Sequence, residues 1–133
     1  MSKVVGVMNF NTECSRLLSQ YGKDARIALN ESLPEAAKIA VKMIRANSKN
    51  RSGRYVKGWA YKAETFRGIG TSYVVYNKDR YRIAHLLENA HDVRNRKNGP
   101  KLGEVKGDHV IADAETYTEE WLVQDVERRI KNL

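Results

Sequence analysis

The sequence predicts an α+β fold in which a small antiparallel sheet packs against N-terminal and C-terminal helices, in the order αα-ββ-α-β-α. Two observations support this prediction. Near both ends of the chain, apolar residues recur at three- and four-residue steps, which is the spacing of amphipathic helices. In the middle, the spacing changes to a two-residue alternation rich in aromatic and β-branched residues, which is typical of strands. The 133 residues contain no internal repeat, so we expect a single domain over residues 1–133.

Residues 11–30 are predicted to form the first helix. Their apolar positions share one helical face: Leu17, Leu18, Tyr21, Ala25 and Ala28. Gly22 weakens the middle of this helix by about 1 kcal/mol relative to alanine.

A second helix is predicted over residues 33–46. Ser32 and Glu35 have the spacing of a capping box, and Pro34 is tolerated in a first helical turn. The alternative is one long helix that combines both segments and is kinked near Pro34.

Two antiparallel strands are predicted next. The first begins near Arg54, with apolar residues on one parity: Tyr55, Trp59, Tyr61 and Ala63. Residues 66–70 contain two glycines and are expected to form the turn. Thr71–Tyr76 is β-branched and aromatic, and is predicted to be the partner strand.

The C-terminal half is predicted to contain a helix, a loop, a strand and a last helix. Asp79 is the expected N-cap of a helix over Arg80–Asn89, which ends near His91. Val93–Lys106 contains glycine, proline and five basic residues, and we expect a loop that becomes ordered against a neighbouring molecule. His109–Ala112 is predicted to be a short strand.

The last helix is predicted to begin at Thr116 or Thr118 and to end near Asn132. Its apolar residues lie on one stripe: Trp121, Leu122, Val126 and Ile130.

Charge is distributed unevenly along the chain. The formal net charge is +8, and residues 42–67 contain eight Lys and Arg against one acid, Glu64. From residue 104 onward, the sequence contains eight acidic and four basic residues. This asymmetry indicates either a polyanion nearby or a neighbouring copy whose acidic surface meets the basic one, and a merely solvated charged surface is the simpler alternative.

The composition also argues against several classes of protein. The single cysteine, Cys14, rules out an internal disulfide framework and is expected to be a buried thiol. No apolar run approaches the ~20 residues of a membrane span, and the first residues are too poor in apolar side chains for a signal peptide.

No catalytic or metal-binding pattern is complete. On one continuous helix His85 and His91 would lie about 240° apart around the axis, so they could not share a metal ion with Glu88. The sequence contains no nucleophile elbow, phosphate-cradling loop or CxxC pair. We therefore expect no enzyme activity, no metal and no cofactor.

Basic residues form the candidate functional positions. In the first strand and its entry they alternate with aromatic residues, which suggests that the bases face a partner while the aromatic rings face the core. The candidate assembly-facing or DNA-facing residues are Arg51, Arg54, Lys57, Lys62, Arg94, Arg96, Lys97 and Lys101.

Three motifs, in this order along the chain, resemble one family. Residues 52–59 read SGRYVKGW, residues 75–91 read VYNKDRYRIAHLLENAH, and residues 109–115 read HVIADAE. They are similar to the motifs of small neck or tail-completion proteins of long-tailed bacteriophages, which are related to minor tail protein Z. The segment AHLLE…H is the most specific of them. The chain departs from the family pattern at Ala90, Asp108 and Asp113.

The resemblance implies a structural virion protein of the phage head–tail junction, made in the host cytoplasm. It would form a ring, expected to be hexameric, between a connector or stopper protein and the tail tube or its terminator. DNA would pass through the ring and make non-specific contacts with it. The alternative function is a free, sequence-independent protein that binds double-stranded nucleic acid.

Overall fold

The computed structural model describes residues 6–48, 53–66, 70–78, 91–94, 101–105 and 109–133. The helices are α1 (Asn11–Tyr21), α2 (Lys23–Asn47), α3 (Gly53–Lys57) and α4 (Val110–Lys131). The strands are β1 (Gly6–Asn9), β2 (Trp59–Phe66), β3 (Gly70–Asn77), β4 (His91–Arg94) and β5 (Lys101–Val105). The predicted α+β class, with an antiparallel sheet and helices at both ends of the chain, is confirmed.

Helix α2 is the centre of the core. Its 25 residues span about 37 Å, and it packs along α4 and against β2 and β3. Half of its ten buried residues are alanines: Ala25, Ala28, Ala36, Ala37 and Ala40. Small side chains in a core let neighbouring elements approach closely, so these alanines permit the close packing around α2.

The break between the first two helices lies at Gly22 and not at Pro34. Gly22 has φ of 58°, in the left-handed region that glycine adopts without strain, and its N–H donates to Leu18 O at 2.8 Å. Pro34 lies inside α2, where its missing N–H leaves one carbonyl without its helical donor. The buried contacts on both sides of Pro34 stabilise α2 by more than the loss of this one hydrogen bond costs.

Ser32 does not cap a helix, contrary to the sequence prediction. It is fully buried in α2, and its Oγ–H donates to Asp125 Oδ2 of α4 at 2.7 Å. Arg129 Nε donates to the same oxygen at 2.8 Å, and its Nη1 donates to Glu31 Oε2 at 2.6 Å. Arg128 donates to the other Asp125 oxygen. This polar cluster fastens α4 to α2.

The main sheet has three strands in the order β1-β3-β2, and every pairing is antiparallel. The β2–β3 register runs without interruption from Trp59 opposite Asn77 to Phe66 opposite Gly70. Strand β1, which was not predicted, pairs with the other side of β3 and has an irregularity between Gly6 and Met8.

The entry to β2 is helical, so the prediction of a strand from Arg54 is wrong at its start. Residues 53–57 form α3, and β2 begins at Trp59. Arg45 of α2 donates through Nη2 to Trp59 O at 2.6 Å and to Lys57 O at 3.4 Å. These bonds satisfy the last carbonyl of α3 and the first carbonyl of β2, and so fix where the strand starts.

The predicted strand at His109–Ala112 is also wrong, because α4 begins at Val110. His109 has φ of 53°, a left-handed conformation that is incompatible with a strand, and its carbonyl accepts from Asp113 N–H at 3.0 Å. The β-branched pair Val110-Ile111 favoured a strand locally, but both side chains pack against the helical core.

Residues 91–94 and 101–105 form a second, two-stranded antiparallel sheet. The prediction of a loop across Val93–Lys106 is therefore wrong for residues 93–94 and 101–105. His91 begins β4 and does not end a helix. The predicted helix over Arg80–Asn89 lies outside the described residues. We call strands β4 and β5 together the β4–β5 ribbon.

The two tryptophans differ in burial, although both were expected to lie in the core. Trp59 is fully buried, whereas Trp121 is only partly buried at the core's edge. We expect Trp59→Ala to cost ~3–5 kcal/mol in free energy of unfolding, and Trp121→Ala to cost clearly less. Urea unfolding of both variants tests this, and a loss below about 1 kcal/mol for Trp59→Ala would contradict the packing described.

Asp125→Asn tests the polar cluster between α2 and α4. Burial alone would raise the pKa of Asp125, but hydrogen bonds from Arg129, Ser32 and Arg128 outweigh it and lower the pKa. The substitution should cost roughly 1.5–3 kcal/mol at neutral pH. Because the pKa is lowered in the folded state, the stabilisation is complete above the ordinary value of 3.8 and is lost as the pH falls below 3.8 and through the folded-state pKa, so the difference from the unchanged chain should shrink there.

Urea unfolding at pH 7 and at pH 3 measures this difference. Gln124→Ala, at an exposed position on the same helix, is the control and should have little effect. Equal stability of Asp125→Asn and the unchanged chain at pH 7 would contradict a stabilising role for the cluster.

Candidate functional site

The predicted basic residues lie on several elements. Lys57 ends α3 and Lys62 lies in β2, and both side chains are exposed. The backbone places Arg54 in α3, Arg94 in β4 and Lys101 in β5. Arg51, Arg96 and Lys97 lie outside the described residues.

Helix α2 adds bases that the candidate set did not contain. Lys38, Lys42 and Arg45 are exposed and follow helical spacing, so they lie on one outward face. The hydrogen bond from Arg45 to Lys57 O brings α3 beside this face. We call Lys38, Lys42, Arg45 and Lys57 the basic stripe. Its helical spacing was visible in the sequence, but its junction with Lys57 depends on the fold.

Only one ion pair among the described residues partly neutralises the stripe. Lys38 Nζ lies 3.7 Å from Glu35 Oε1, and both side chains are more than half exposed. A pair of this kind contributes little and is screened by salt. The stripe therefore presents positive charge to solvent and suits a polyanion or an acidic protein surface.

In the register of β4 and β5, Asp92 is the partner of Glu104 and Arg94 is the partner of Lys101, with an irregularity between Val93 and Arg94.

An acidic cluster lies between α1, α4 and the sheet. Glu13, Glu115 and Glu119 line a cavity of about 430 Å³ together with Glu64 of β2 and with Met8, Asn9, Thr12 and Val74. Because α4 begins at Val110, Glu115 and Glu119 lie beyond its first turn, and the packing of α1 beside α4 brings them to Glu13.

Within the acidic cluster, Glu119 has a pKa in the neutral range. Burial raises the pKa of Glu119 to about 7, and the nearby charges of Glu13 and Glu115 and their hydrogen bonds to Glu119 add to this shift. A second cavity, of about 460 Å³, continues along the seam between α1 and α4 and is lined by Arg16 as well as by Glu120 and Glu127. Among the described residues, Arg16 is the only base that lines either of these two cavities.

The Cys14 thiol and the possible metal site are the other sequence-based candidates for chemistry. Cys14 is fully buried beside Ser72, and burial raises the pKa of its thiol to about 12, so the predicted buried thiol is confirmed. Within the described ranges, no group of three or more His, Cys, Asp or Glu side chains is arranged to hold a metal ion. His85, the first residue of the metal-site hypothesis, lies outside those ranges. No described helix is both long and apolar enough to cross a membrane.

Comparison with known proteins gives one match. Residues 13–89, more than half of the chain, match the model of the HK97-gp10-like family, described as "Bacteriophage HK97-gp10, putative tail-component". The match contains the first motif, residues 52–59, and residues 75–89 of the second. Comparisons with curated proteins and with solved structures gave no significant match.

Glu119→Gln tests the electrostatics of the acidic cluster. The folded state holds the Glu119 proton up to a pH of about 7, whereas the ordinary pKa is 4.5. The unchanged chain should therefore lose stability as the pH rises between these two values, because the folded state then binds more protons than the unfolded state. Glu119→Gln should remove much of this loss and be the more stable protein at pH 8.

Thermal unfolding at pH 5 and pH 8 measures the effect. Glu120→Gln, one position further along α4 at an exposed site, is the matched control and should keep the pH dependence of the unchanged chain. If Glu119→Gln showed the same pH dependence as this control, the coupling between the three carboxyl groups would be disproved.

Proposed function

Because this chain belongs to the HK97-gp10-like family of bacteriophage tail components, we propose that it forms a ring at the head–tail junction of the virion. Its neighbours would be further copies of itself, a connector or stopper protein on the head side, and the tail tube or its terminator on the other. DNA would pass through the ring. The role is structural and involves no catalysis.

The separation of charge supports assembly into a ring. The acidic cluster lies between α1, α4 and β2, whereas the basic stripe lies on α2 and α3. A ring requires a heterologous interface, in which one surface of each copy meets a different surface of the next. A molecule with two distinct charged surfaces suits such a contact better than it suits a two-fold symmetric dimer.

The basic stripe is the surface that we assign to the DNA path. Its members are exposed, pair with no described acid other than Glu35, and come from α2 and the end of α3. Lysine and arginine contacts with phosphates are independent of sequence and weaken with salt. Such contacts suit DNA that must slide past. No described feature favours base recognition, and none favours a free nucleic-acid-binding protein over a tail component.

Electron microscopy of the purified chain, and of tails assembled in its presence, is the direct test. We expect rings with a central channel and a position at the head-proximal end of the tail. If the protein stays monomeric at high concentration and attaches to no tail structure, the proposal is wrong.

Lys42→Glu with Lys57→Glu tests the basic stripe. If the stripe lines the DNA path, this double variant should still form rings but should bind double-stranded DNA much more weakly at low salt, because each reversal replaces a phosphate contact by a repulsion. Fluorescence anisotropy with a DNA duplex at several salt concentrations measures the change.

The matched control is Lys23→Glu with Arg26→Glu, which reverses two exposed bases at the opposite end of α2 and changes the net charge equally. DNA affinity should fall more with the stripe variant than with the control. Equal losses would show that only net charge matters and would remove the assignment of this surface to DNA.

A further inference from the structure

We propose that α1 opens locally, as one unit between Phe10 and Gly22, when the carboxyl groups along its seam with α4 ionise, while α2 and α4 stay folded. Opening here means a transient loss of the tertiary contacts and helical hydrogen bonds of α1, of the kind that hydrogen exchange detects. The inference concerns the chain by itself and does not depend on the proposed ring.

Helix α1 is bounded by non-helical backbone at both ends. Phe10 precedes it and provides no side-chain cap. At the other end Gly22, with φ of 58°, separates α1 from α2. A helix of 11 residues is marginally stable by itself in water, so α1 depends on its contacts with the rest of the fold. When those contacts are lost, α1 is therefore able to open without unwinding α2.

Few side chains of α1 anchor it to the core. Two of its 11 residues, Cys14 and Leu17, are buried. By contrast, ten residues of α2 are buried. Next to Gly22, the hydroxyl group of Tyr21 donates to Glu127 Oε2 of α4 at 2.6 Å. Segments with few buried apolar contacts have the lowest local stability in a fold, and α1 is such a segment.

The seam between α1 and α4 contains carboxyl groups from three elements. Glu13 of α1 lies near Glu115 and Glu119 of α4, and Glu64 of β2 lines the same cavity of about 430 Å³. The residues that β1 and β3 add to the lining of this cavity are uncharged. The acidic cluster therefore joins the two helices through groups that repel one another once they are ionised.

The charges further along the seam do little to offset this repulsion. Arg16 of α1 lines the second cavity together with Glu119, Glu120 and Glu127, so acids outnumber bases there as well. The charged groups that face Glu119 are thus Glu13 and Arg16 from α1, Glu64 from β2 and the other acids of α4 among the described residues.

The packing of α1 makes the ionisation of Glu119 costly. Burial, the nearby charges of Glu13 and Glu115, and the hydrogen bonds of both with Glu119 raise the pKa of Glu119 to about 7. The contribution of Glu13 exists only while α1 is packed, and an open α1 also returns water to the Glu119 carboxyl group. Ionised Glu119 therefore favours the open state of α1, and protonated Glu119 favours the closed state.

The sign and the size of the effect follow from the pKa of Glu119 in the two states. It is about 7 in the closed state and approaches the ordinary 4.5 in the open state. Because the closed state binds the proton more tightly, opening becomes easier as the pH rises from 4.5 to 7 and then changes little. Between pH 6 and pH 8 the population of open α1 should rise roughly tenfold.

Amide hydrogen exchange of the full chain, corrected for its intrinsic pH dependence, tests the inference. At pH 8 we expect the amides of α1 to be at least about tenfold less protected than those around Leu29 and Leu33 of α2, with little dependence on low concentrations of urea. At pH 6 the protection of α1 should be about tenfold higher than at pH 8. Equal protection and equal urea dependence in α1 and α2 would show that α1 opens only by global unfolding. That result, or equal protection of α1 at the two pH values, would overturn the inference.

Alkylation of Cys14 supplies a second readout. Its thiol is fully buried, so iodoacetamide should reach it only when α1 opens. At pH 8, Glu119→Gln should lower the rate of alkylation roughly tenfold relative to the unchanged chain, because the neutral amide removes the repulsion at every pH. Glu120→Gln, at an exposed site on α4, is the matched control and should leave the rate unchanged.

A second substitution keeps the test available if Glu119→Gln does not fold. Glu13→Gln removes the charge on α1 itself and should raise the protection of the α1 amides at pH 8. Equal alkylation rates for Glu119→Gln and Glu120→Gln would overturn the inference, because opening would then not depend on the ionisation of Glu119. Neither outcome decides whether the chain forms a ring, which electron microscopy of assembled tails tests separately.

Discussion

The close packing of α2 against α4 is the constraint on which the rest of the structure depends. Half of the buried residues of α2 are alanines, and fully buried residues such as Leu29, Leu33 and Ile44 complete the core around this helix. The polar cluster around Asp125 fixes the position of α4 along α2. In it, Ser32 of α2 binds Asp125 and Glu31 of α2 binds Arg129. Pro34 is accommodated in the middle of α2 because this packing continues on both sides of it.

From this arrangement follow the positions of the charged surfaces. Helix α1 turns at Gly22 and lies beside α4, which brings Glu13 to Glu119 and raises the pKa of that carboxyl group. At the other end of α2, Arg45 binds the carbonyls of Lys57 and Trp59 and so places β2 against the helix. The same core thus gathers acids along the seam between α1 and α4 and leaves bases exposed on α2 and α3. Like charges repel within each of these two surfaces. Such surfaces are consistent with contact to an oppositely charged partner.

The candidate surfaces were only partly accessible to sequence reasoning. A run of bases in residues 42–67 is evident from composition, and the helical spacing of Lys38, Lys42 and Arg45 predicts a common face. The acidic cluster was missed, because Glu13 and Glu119 are more than a hundred positions apart and only the contact between α1 and α4 joins them. The separate ribbon was missed as well, because a segment rich in glycine and lysine has weak strand propensity and pairs through its backbone.

Local periodicity in the sequence was sufficient to predict the α+β class, the amphipathic faces of the helices, the β3 strand and the burial of Trp59. The sequence also contained the motifs that indicated the phage family. The tertiary structure decided the rest. It placed the helix break at Gly22 rather than at Pro34, because buried contacts along α2 outweigh one lost hydrogen bond. It turned His109–Ala112 from a predicted strand into the start of α4, because Val110 and Ile111 gain more by packing on the helical core than β-branched residues gain from an extended backbone.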